Sequence, residues 1–536
     1  MSNSNTVIGI NFGTSSTSIG YVNKEGRADC LANEEGDRQI ASVLAFHGEE
    51  EVVGSQAKSE IARHPKTTVA NFRATLGKTF AESEDLTGSA APVVDKSGAP
   101  GYEITFGETT KVLSSHDISA KFLRHIRDSA EGFFGSKIDG AVMAVPSYFS
   151  DKQREEFKQA ASDAGIKVLQ LVQESTAAAL AYNLGANDQD KTVVICDLGG
   201  HSFDVTVMTV RSGIYSILAT AHDTKLGGVS FDDMLIKHFS AEFKKKTKVD
   251  LANNAKALAK LRGAVEVTKK MLSSASSAPC FVESLADGLD FHGTINRMRF
   301  EILSNSIFAK LQDVVRQVLV KADLDASEID EVVLAGGAAR IPKFAVKLRE
   351  LFTADTHLHA DLEADEVVAR GCAIQASLIA GFDVEDIEAA VHPVVTLAPS
   401  VQKAIGVLNA SGAFVPLIPK GTALPARRSF TFNPAGADQS QVYVALHEGD
   451  HVIEKKEISV EPVPVEEGEE PYEEEPEIVT TVYTKPAALL VEAVLPVSSK
   501  SAKVEVQVTV EVDGKLTLVL RDAANVVKAE VPAGKQ

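Results

Sequence analysis

The stretch VIGINFGTSSTSIGYV, Val7–Val22, reads as strand, turn and strand. Val7, Ile8 and Ile10 supply one apolar run, Ile19, Tyr21 and Val22 a second, and Gly13, Thr14, Ser15 and Ser16 stand between them. With no large side chain in the way, such a turn brings several backbone N–H groups and small hydroxyls onto one phosphate. Turns of this composition also join ordinary strands, so a second copy carries the inference. VVICDLGGHSFDVTVMTV, Val193–Val210, repeats the pattern, with Asn11 matching Asp197 and Gly13 matching Gly199 at a separation of 186 residues. That repeat predicts two halves facing each other with an anion held between their turns.

A chain of 536 residues has room for two to four domains and a large core. Its formal charge of −20 argues against a general electrostatic grip on nucleic acid, so no direct nucleic-acid contact is expected. Cys30, Cys196, Cys280 and Cys372 are scattered, without a CxxC pair, which predicts buried free thiols and a reducing compartment. The polar start MSNSNT lacks the layout of a signal peptide. The apolar stretch VVARGCAIQASLIAGF is broken by Arg370 and falls short of the roughly 20 residues that a membrane span needs. A cytoplasmic protein with no membrane segment is therefore expected.

From Val7 to about residue 382 strand and helix patterns alternate in the α/β manner. Ser114–Phe134 and Asn253–Ser274 have helical spacing, AVMAVP reads as a buried strand, and Ser150 or Asp151 caps a helix that Gly165 ends. VQESTAAALAYNLG is Ala-rich and helical up to Gly185, and the helix ADEVVARGCAIQASLIAG stops at Gly381. Beyond this the character changes: KVEVQVTVEV and KLTLVLRD read as period-two strands joined by an Asp513-Gly514 turn. The expected organisation is a nucleotide-binding domain over residues 1–382, a linker over 383–394 and a β-domain over 395–536. Within the last, EPVPVEEGEEPYEEEPE (461–477) has nine Glu, four Pro and no Lys or Arg, the composition of an extended acidic loop or of a docking site for a basic partner.

Five collinear stretches, namely the first hairpin, VPSYFSDKQREEFKQAASDAG with VQESTAAALAYNLG, the second hairpin, KLGGVSFDD and LAGGAARIPK, resemble the nucleotide-binding domain of DnaK-type heat-shock chaperones, relatives of actin and the sugar kinases. The resemblance implies a two-lobed α/β ATPase domain whose hairpins clamp ATP phosphates. PLIPKGTALPARRSFTF (416–432) and LHEGD (446–450) resemble the family's all-β sandwich peptide-binding domain, the latter as a strand and turn. The family continues into a helical lid, and none is expected here.

By this resemblance ATP is the cofactor. Gly13, Thr14, Ser15 and Ser16 with Gly199, Gly200, His201, Ser202 and Gly228 would meet its phosphates. Glu266, Lys269, Lys270 and Ser273, on one helix face, would meet the nucleoside together with Gly336, Gly337, Arg340 and Asp365. Glu174, Asp197 and Asp204 retain the family's acids. Asn11 stands where the family has an Asp poised for Mg²⁺-bound water, Arg73 where it has a Lys, His201 where it has a glycine, and Val229 and Ser230 where it has two acids. An amide cannot accept a proton from attacking water, and a planar guanidinium does not take an ammonium's position. Binding without efficient hydrolysis is therefore expected, and no metal ligand set is assigned.

The linker DVEDIEAAVHPVV keeps acids but has lost the family's leucine run, so weak coupling between domains is expected. Altogether the chain resembles the atypical DnaK-like subunits of the fungal ribosome-associated complex. That implies a stable heterodimer with a zuotin-like J-domain protein, ribosome association through this partner, and assistance to a separate DnaK-type chaperone that folds nascent chains. An ATP-hydrolysing lidless chaperone with fast peptide exchange and a small-molecule kinase are the competing readings.

Overall fold

The computed structural model describes residues 6–83, 90–106, 108–185, 190–211, 213–383, 385–386, 399–409, 411–432, 439–458, 477–497 and 503–532. Most of the expected linker 383–394 and residues 461–476 of the acidic segment lie outside these, while Glu477 opens a strand. The chain divides into two compact units: Met1–Asn187 with Thr192–Met208 and Ala219–Thr396, and Asp188–Lys191 with Thr209–Leu218 and Leu397–Gln536.

The predicted duplication is visible in strand order. In one sheet Val7–Phe12 pairs antiparallel with Ser16–Val22 and parallel with Gly140–Val145, which pairs in turn with Val168–Gln173. In the other, Lys191–Leu198 lies between Phe203–Arg211 and Glu331–Ala335, the latter in parallel register from Val193↔Glu331 to Asp197↔Ala335. Each hairpin thus places its turn beyond the carboxyl end of a central strand, the usual position of a ligand site in an open α/β sheet.

Helix punctuation follows the local chemistry. Ser114 and Ser150 cap the helices Ser115–Phe134 and Asp151–Asp163, each in a reciprocal box with Asp117 or Gln153 that satisfies otherwise orphaned backbone donors. Val172 and Gln173, expected to be helical, instead finish the strand Val168–Gln173, and the helix begins at Glu174. Strand pairing with Ala144 and Val145 outweighs the helical propensity of the Ala-rich run that follows.

Packing in the first unit centres on Phe12, which stacks on Phe157 at 5.4 Å and meets Phe72 and Phe122. The helix Val367–Ile379 lies against the first sheet and Glu174–Ala181 at a distance only glycine permits. A Cβ on Gly9 would fall 2.2 Å from Ala373 N, on Gly20 2.2 Å from Ala369 O, and on Gly371 1.7 Å from Ala177 O. All four cysteines are buried and free, as expected. Among the described residues no helix is long and apolar enough to cross a membrane.

The second unit contains two four-stranded antiparallel sheets. One runs Phe414–Ile418, Ala404–Leu408, Gln441–Ile458, Glu477–Pro496, and the other Ala426–Phe432, Val504–Val510, Leu516–Arg521, Val526–Val531. Period-two alternation turns Val504, Val506 and Val508 with Leu516, Leu518 and Leu520 inward, each fully buried, against Leu446 and Leu495. Asp513-Gly514 makes the expected turn, Gly514 having φ +83°. LHEGD is different from its expected strand and turn: it lies wholly within the strand Gln441–Ile458. The register shifts at Leu446/His447 and His447/Gly449 are bulges that absorb the irregularity without reversing the chain.

Candidate functional site

The first turn is held from beneath by Ser42, whose hydroxyl donates to Gly13 O at 2.8 Å and whose N–H donates to Ser15 O at 3.0 Å. In the second turn Gly199 N–H donates to Ser202 O. The amides of Gly228 and Val229 then donate to Gly199 O and Gly200 O, so the start of helix Gly228–Thr247 is seated on that turn. The two turns meet. A Cβ on Gly200 would stand 2.0 Å from Ser15 Oγ, and that hydroxyl is 2.9 Å from His201 Nδ1.

The remaining predicted residues join these turns in a ring of contacts. Ser16 Oγ reaches Gln39 Oε1 at 3.3 Å, and Gln39 Nε2 donates to Asp365 O at 2.8 Å. The Asp365 carboxylate takes Arg340 at 2.6 Å, and Arg340 also pairs with Glu363. Gly337 faces Asp365, and its neighbour Gly336, at φ +86°, lies where a Cβ would strike Asp197 Oδ1 and Leu198 O at 2.4 Å. Asp197 and Leu198 lead back into the second turn. At Gly228 an added Cβ would fall 3.3 Å from Lys269 Nζ, 3.5 Å from Ala338 Cβ and 3.6 Å from Gly200 Cα.

Beside the turns lies a buried charge cluster. Arg73 and Glu174 form an ion pair at 2.5 Å, both side chains about a tenth exposed, and the guanidinium also lies 5.4 Å from the centre of the Phe149 ring. Burial and then the Glu174 charge push Asp197 up to about 7, against the pull of Arg73. The same two causes, with Asp197 added, hold Asp204 well above the ordinary carboxylate range, although Ser202 Oγ donates to its Oδ2 at 2.8 Å. Among the described residues Asp204 Oδ1 has no hydrogen-bond partner. The pKa of the Tyr148 hydroxyl is raised chiefly by burial, and its ring stacks on His222 at 4.6 Å. Asn11 sits one residue before Phe12 on the central strand, opposite Ser18.

On helix Ala255–Ser274 the predicted face divides. Burial alone would raise Glu266, but Lys58 at 2.7 Å and Lys270 at 3.0 Å hold it at about 2. Lys269, expected to line a nucleoside with its stem, donates to Gly228 O at 2.9 Å and pairs with Asp232 at 2.8 Å. Helical spacing identifies a common face but not its neighbours, so an inward lysine with a buried acid opposite is taken by that acid. Ser273 is half-buried on the same helix. Burial, then Arg262 and Lys269, pushes His201 down to about 4, so its ring is neutral near pH 7.

Gln39, Ser42, Lys58, Tyr148 and Asp232 belong to the site and were not singled out from the sequence. Asp232 and Tyr148 lie inside quoted motifs, whereas nothing local marks Lys58, whose partner is 208 residues away. Among the described residues no group of three or more His, Cys, Asp or Glu side chains converges as a metal site. The glycine cradle, the small hydroxyls and the acid-base pairs at Glu266 and Arg340 fit a nucleotide: a polyphosphate at the turns, with donors and acceptors for a ribose and a planar cation for a base.

Comparison with known proteins agrees with this geometry. The family model described as Hsp70 protein matches residues 7–461. A heat shock protein 70 homolog of Schizosaccharomyces pombe is 38% identical over 534 residues, covering 96% of this chain and 93% of the relative. The ribosome-associated complex subunit SSZ1 of Saccharomyces cerevisiae is 36% identical over 547 residues, covering 98% of this chain and 100% of the relative. A ribosome-associated molecular chaperone of Nakaseomyces delphensis is 37% identical over 450 residues, covering 83% of this chain and 72% of the relative.

Proposed function

The chain belongs to the Hsp70 family, and from that premise we propose that it is an ATP-holding co-chaperone subunit with little hydrolytic activity. Residues 1–382 serve as its nucleotide domain and 395–536 as its β-domain. It pairs with a J-domain protein as a stable heterodimer, reaches the ribosome through that partner in the cytoplasm, and assists a separate Hsp70-type chaperone acting on nascent chains. Similarity to the SSZ1 subunit over nearly the whole of both chains supports the assembly part of this reading.

One observation carries the chemical part: the buried Arg73–Glu174 ion pair. Glu174 is engaged by a fixed guanidinium, so its oxygens are drawn away from polarising a water. Asp197 and Asp204 are held at raised pKa by burial and by the Glu174 charge, and the uncharged Asn11 amide provides no base at the head of the first turn. ATP, when bound, supplies the anionic phosphates that the turns are shaped to receive. Gly13 to Ser16 and Gly199 to Ser202 orient them, Glu266 accepts from a ribose hydroxyl, and Arg340 presents its plane toward the base. Lys269 supports this arrangement indirectly by fixing Gly228.

Equilibrium binding and single-turnover hydrolysis on the purified full chain test the reading. ATP is expected to bind with γ-phosphate release near the uncatalysed rate. N11D alone is expected to leave that rate within about threefold of the parent, although a well-placed general base contributes about 10²–10⁴-fold, because Arg73 still holds Glu174. Release at the rate of an active chaperone, in the parent or in N11D, would overturn the hydrolytic part. Isolation of the native protein without a stoichiometric J-protein would overturn the assembly part.

A further inference from the structure

The Ser15–His201 contact has a chemical consequence beyond holding ATP. The second turn is packed closely against Gly227, where a Cβ would fall 2.7 Å from Gly200 O and 2.9 Å from the His201 carbonyl carbon, and it carries a bulky imidazole. Its Nδ1 meets the Ser15 hydroxyl at 2.9 Å, so the two turns that cradle phosphate are hydrogen-bonded to each other. A phosphate oxygen entering between them competes with that hydroxyl for the ring.

The charged groups facing the ring come from two helices. Arg262, Lys269 and Glu266 belong to Ala255–Ser274 and Asp233 to Gly228–Thr247, while the first turn offers only the Ser15 hydroxyl. Burial and the two cations keep the imidazole uncharged, and the two acids, each paired with a cation (Asp233 with Arg262, Glu266 with Lys58 and Lys270), do not offset them. A polyphosphate would place several unshared negative charges against the ring, and an opposite charge within about 4–6 Å favours the protonated form. Protonated, both ring nitrogens are donors and neither competes for the Ser15 proton.

Resting on the nucleotide-binding reading, we propose that His201 is a specificity-determining residue for polyphosphate. It exchanges the Ser15 hydroxyl for a phosphate oxygen of a nucleoside triphosphate and takes one proton from solvent as it does so. The one bond formed is the second ring N–H, whose proton solvent gives up, and no other covalent bond changes. The ring goes from neutral to cationic, the cleft passes from a serine-closed to a phosphate-closed state, and affinity for ATP is coupled to pH. Adenosine, which brings no charge to the turns, leaves the serine-closed state in place.

Isothermal titration of the full chain with ATP and with adenosine, at pH 7.5 and 6.0, tests this in the parent, H201Q and H201G. The ratio of parent to H201Q affinity for ATP is expected to rise at least about threefold on going to pH 6.0, because a group whose pKa is raised by the ligand takes up a proton on binding. Comparison with H201Q removes the titration of ATP itself. The same ratio for adenosine is expected to stay constant. In the parent, binding enthalpies in buffers of different ionisation enthalpy are expected to report greater proton uptake than in H201Q. H201G, which removes the ring without adding an amide, is expected to match H201Q in its pH profile and stands in for it should H201Q not fold. A flat ratio with ATP still bound by the parent overturns the role of His201 and leaves the nucleotide reading standing. Failure of the parent to bind ATP at either pH overturns both.

Discussion

At single residues, the site departs from ordinary side-chain behaviour through burial. Asp197 is the clearest case: its pKa in the folded state lies near 7, above the ordinary 3.8. A raised folded pKa means that the native state binds the proton more tightly than the unfolded chain. The resulting stabilisation is full below the unfolded value and is lost as pH rises through 7. D197N is therefore expected to raise the melting temperature by about 2–4 °C at pH 8 and to bring little gain at pH 5, as read by scanning calorimetry at the two pH values. Glu266 has the opposite sign. Held at about 2 by Lys58 and Lys270, it adds stability above its ordinary 4.5 that fades as pH falls toward 2. The sequence identified both acids because each sits in a recognisable pattern. It could not show that Lys269 turns to Asp232 or that Arg73 closes on Glu174, since those pairings depend on contacts 37 and 101 residues apart.

Among the elements, close approach decides more than hydrophobic pattern. The helix Val367–Ile379 was legible from its apolar run and terminal Gly381, as were the two hairpins and the capped helices. The glycines that let this helix settle on Gly9, Gly20 and the carbonyl of Ala177 were not, because a glycine in a helical stretch looks the same whether its face is open or pressed against backbone. Two helix glycines separate these cases. G371A would put a methyl 1.7 Å from Ala177 O and is expected to destabilise by about 3 kcal/mol. A Cβ on Gly263 would meet nothing within 4 Å beyond its own helix among the described residues, so G263A is expected to stabilise by about 0.5–1 kcal/mol through helix propensity alone. Urea melts of the two variants should shift in opposite directions.

For the whole molecule, the two units rest on separate cores. Phe12 and its aromatic neighbours anchor the first, and Leu446, Leu495, Val506 and Leu518 the second. L518A, which empties a fully buried position, is expected to lower the stability of the second unit by about 2–5 kcal/mol. ATP affinity measured at a temperature where that unit stays folded should be unchanged. Calorimetry is expected to show the corresponding transition move alone. The division into an α/β part and an all-β part could be read from the change in periodicity, because period-two alternation needs no knowledge of distant partners. The meeting of Ser15 with His201 could not be read that way, since it depends on two copies folding toward each other across 186 residues.

The four cysteines make the chain its own conformational clock. All lie in the first unit, and the second has none. Burial pushes Cys30 up to about 12 and Cys280 to about 11, and raises Cys196 and Cys372 as well, so the reactive thiolate is scarce in the native fold. A thiol reagent can advance only when the first unit opens. Labelling is expected to slow in proportion to ATP occupancy, site by site under mass spectrometry, while L518A leaves the rate untouched. The sulfur atoms thus time the opening of the first unit without an added dye or an engineered tryptophan.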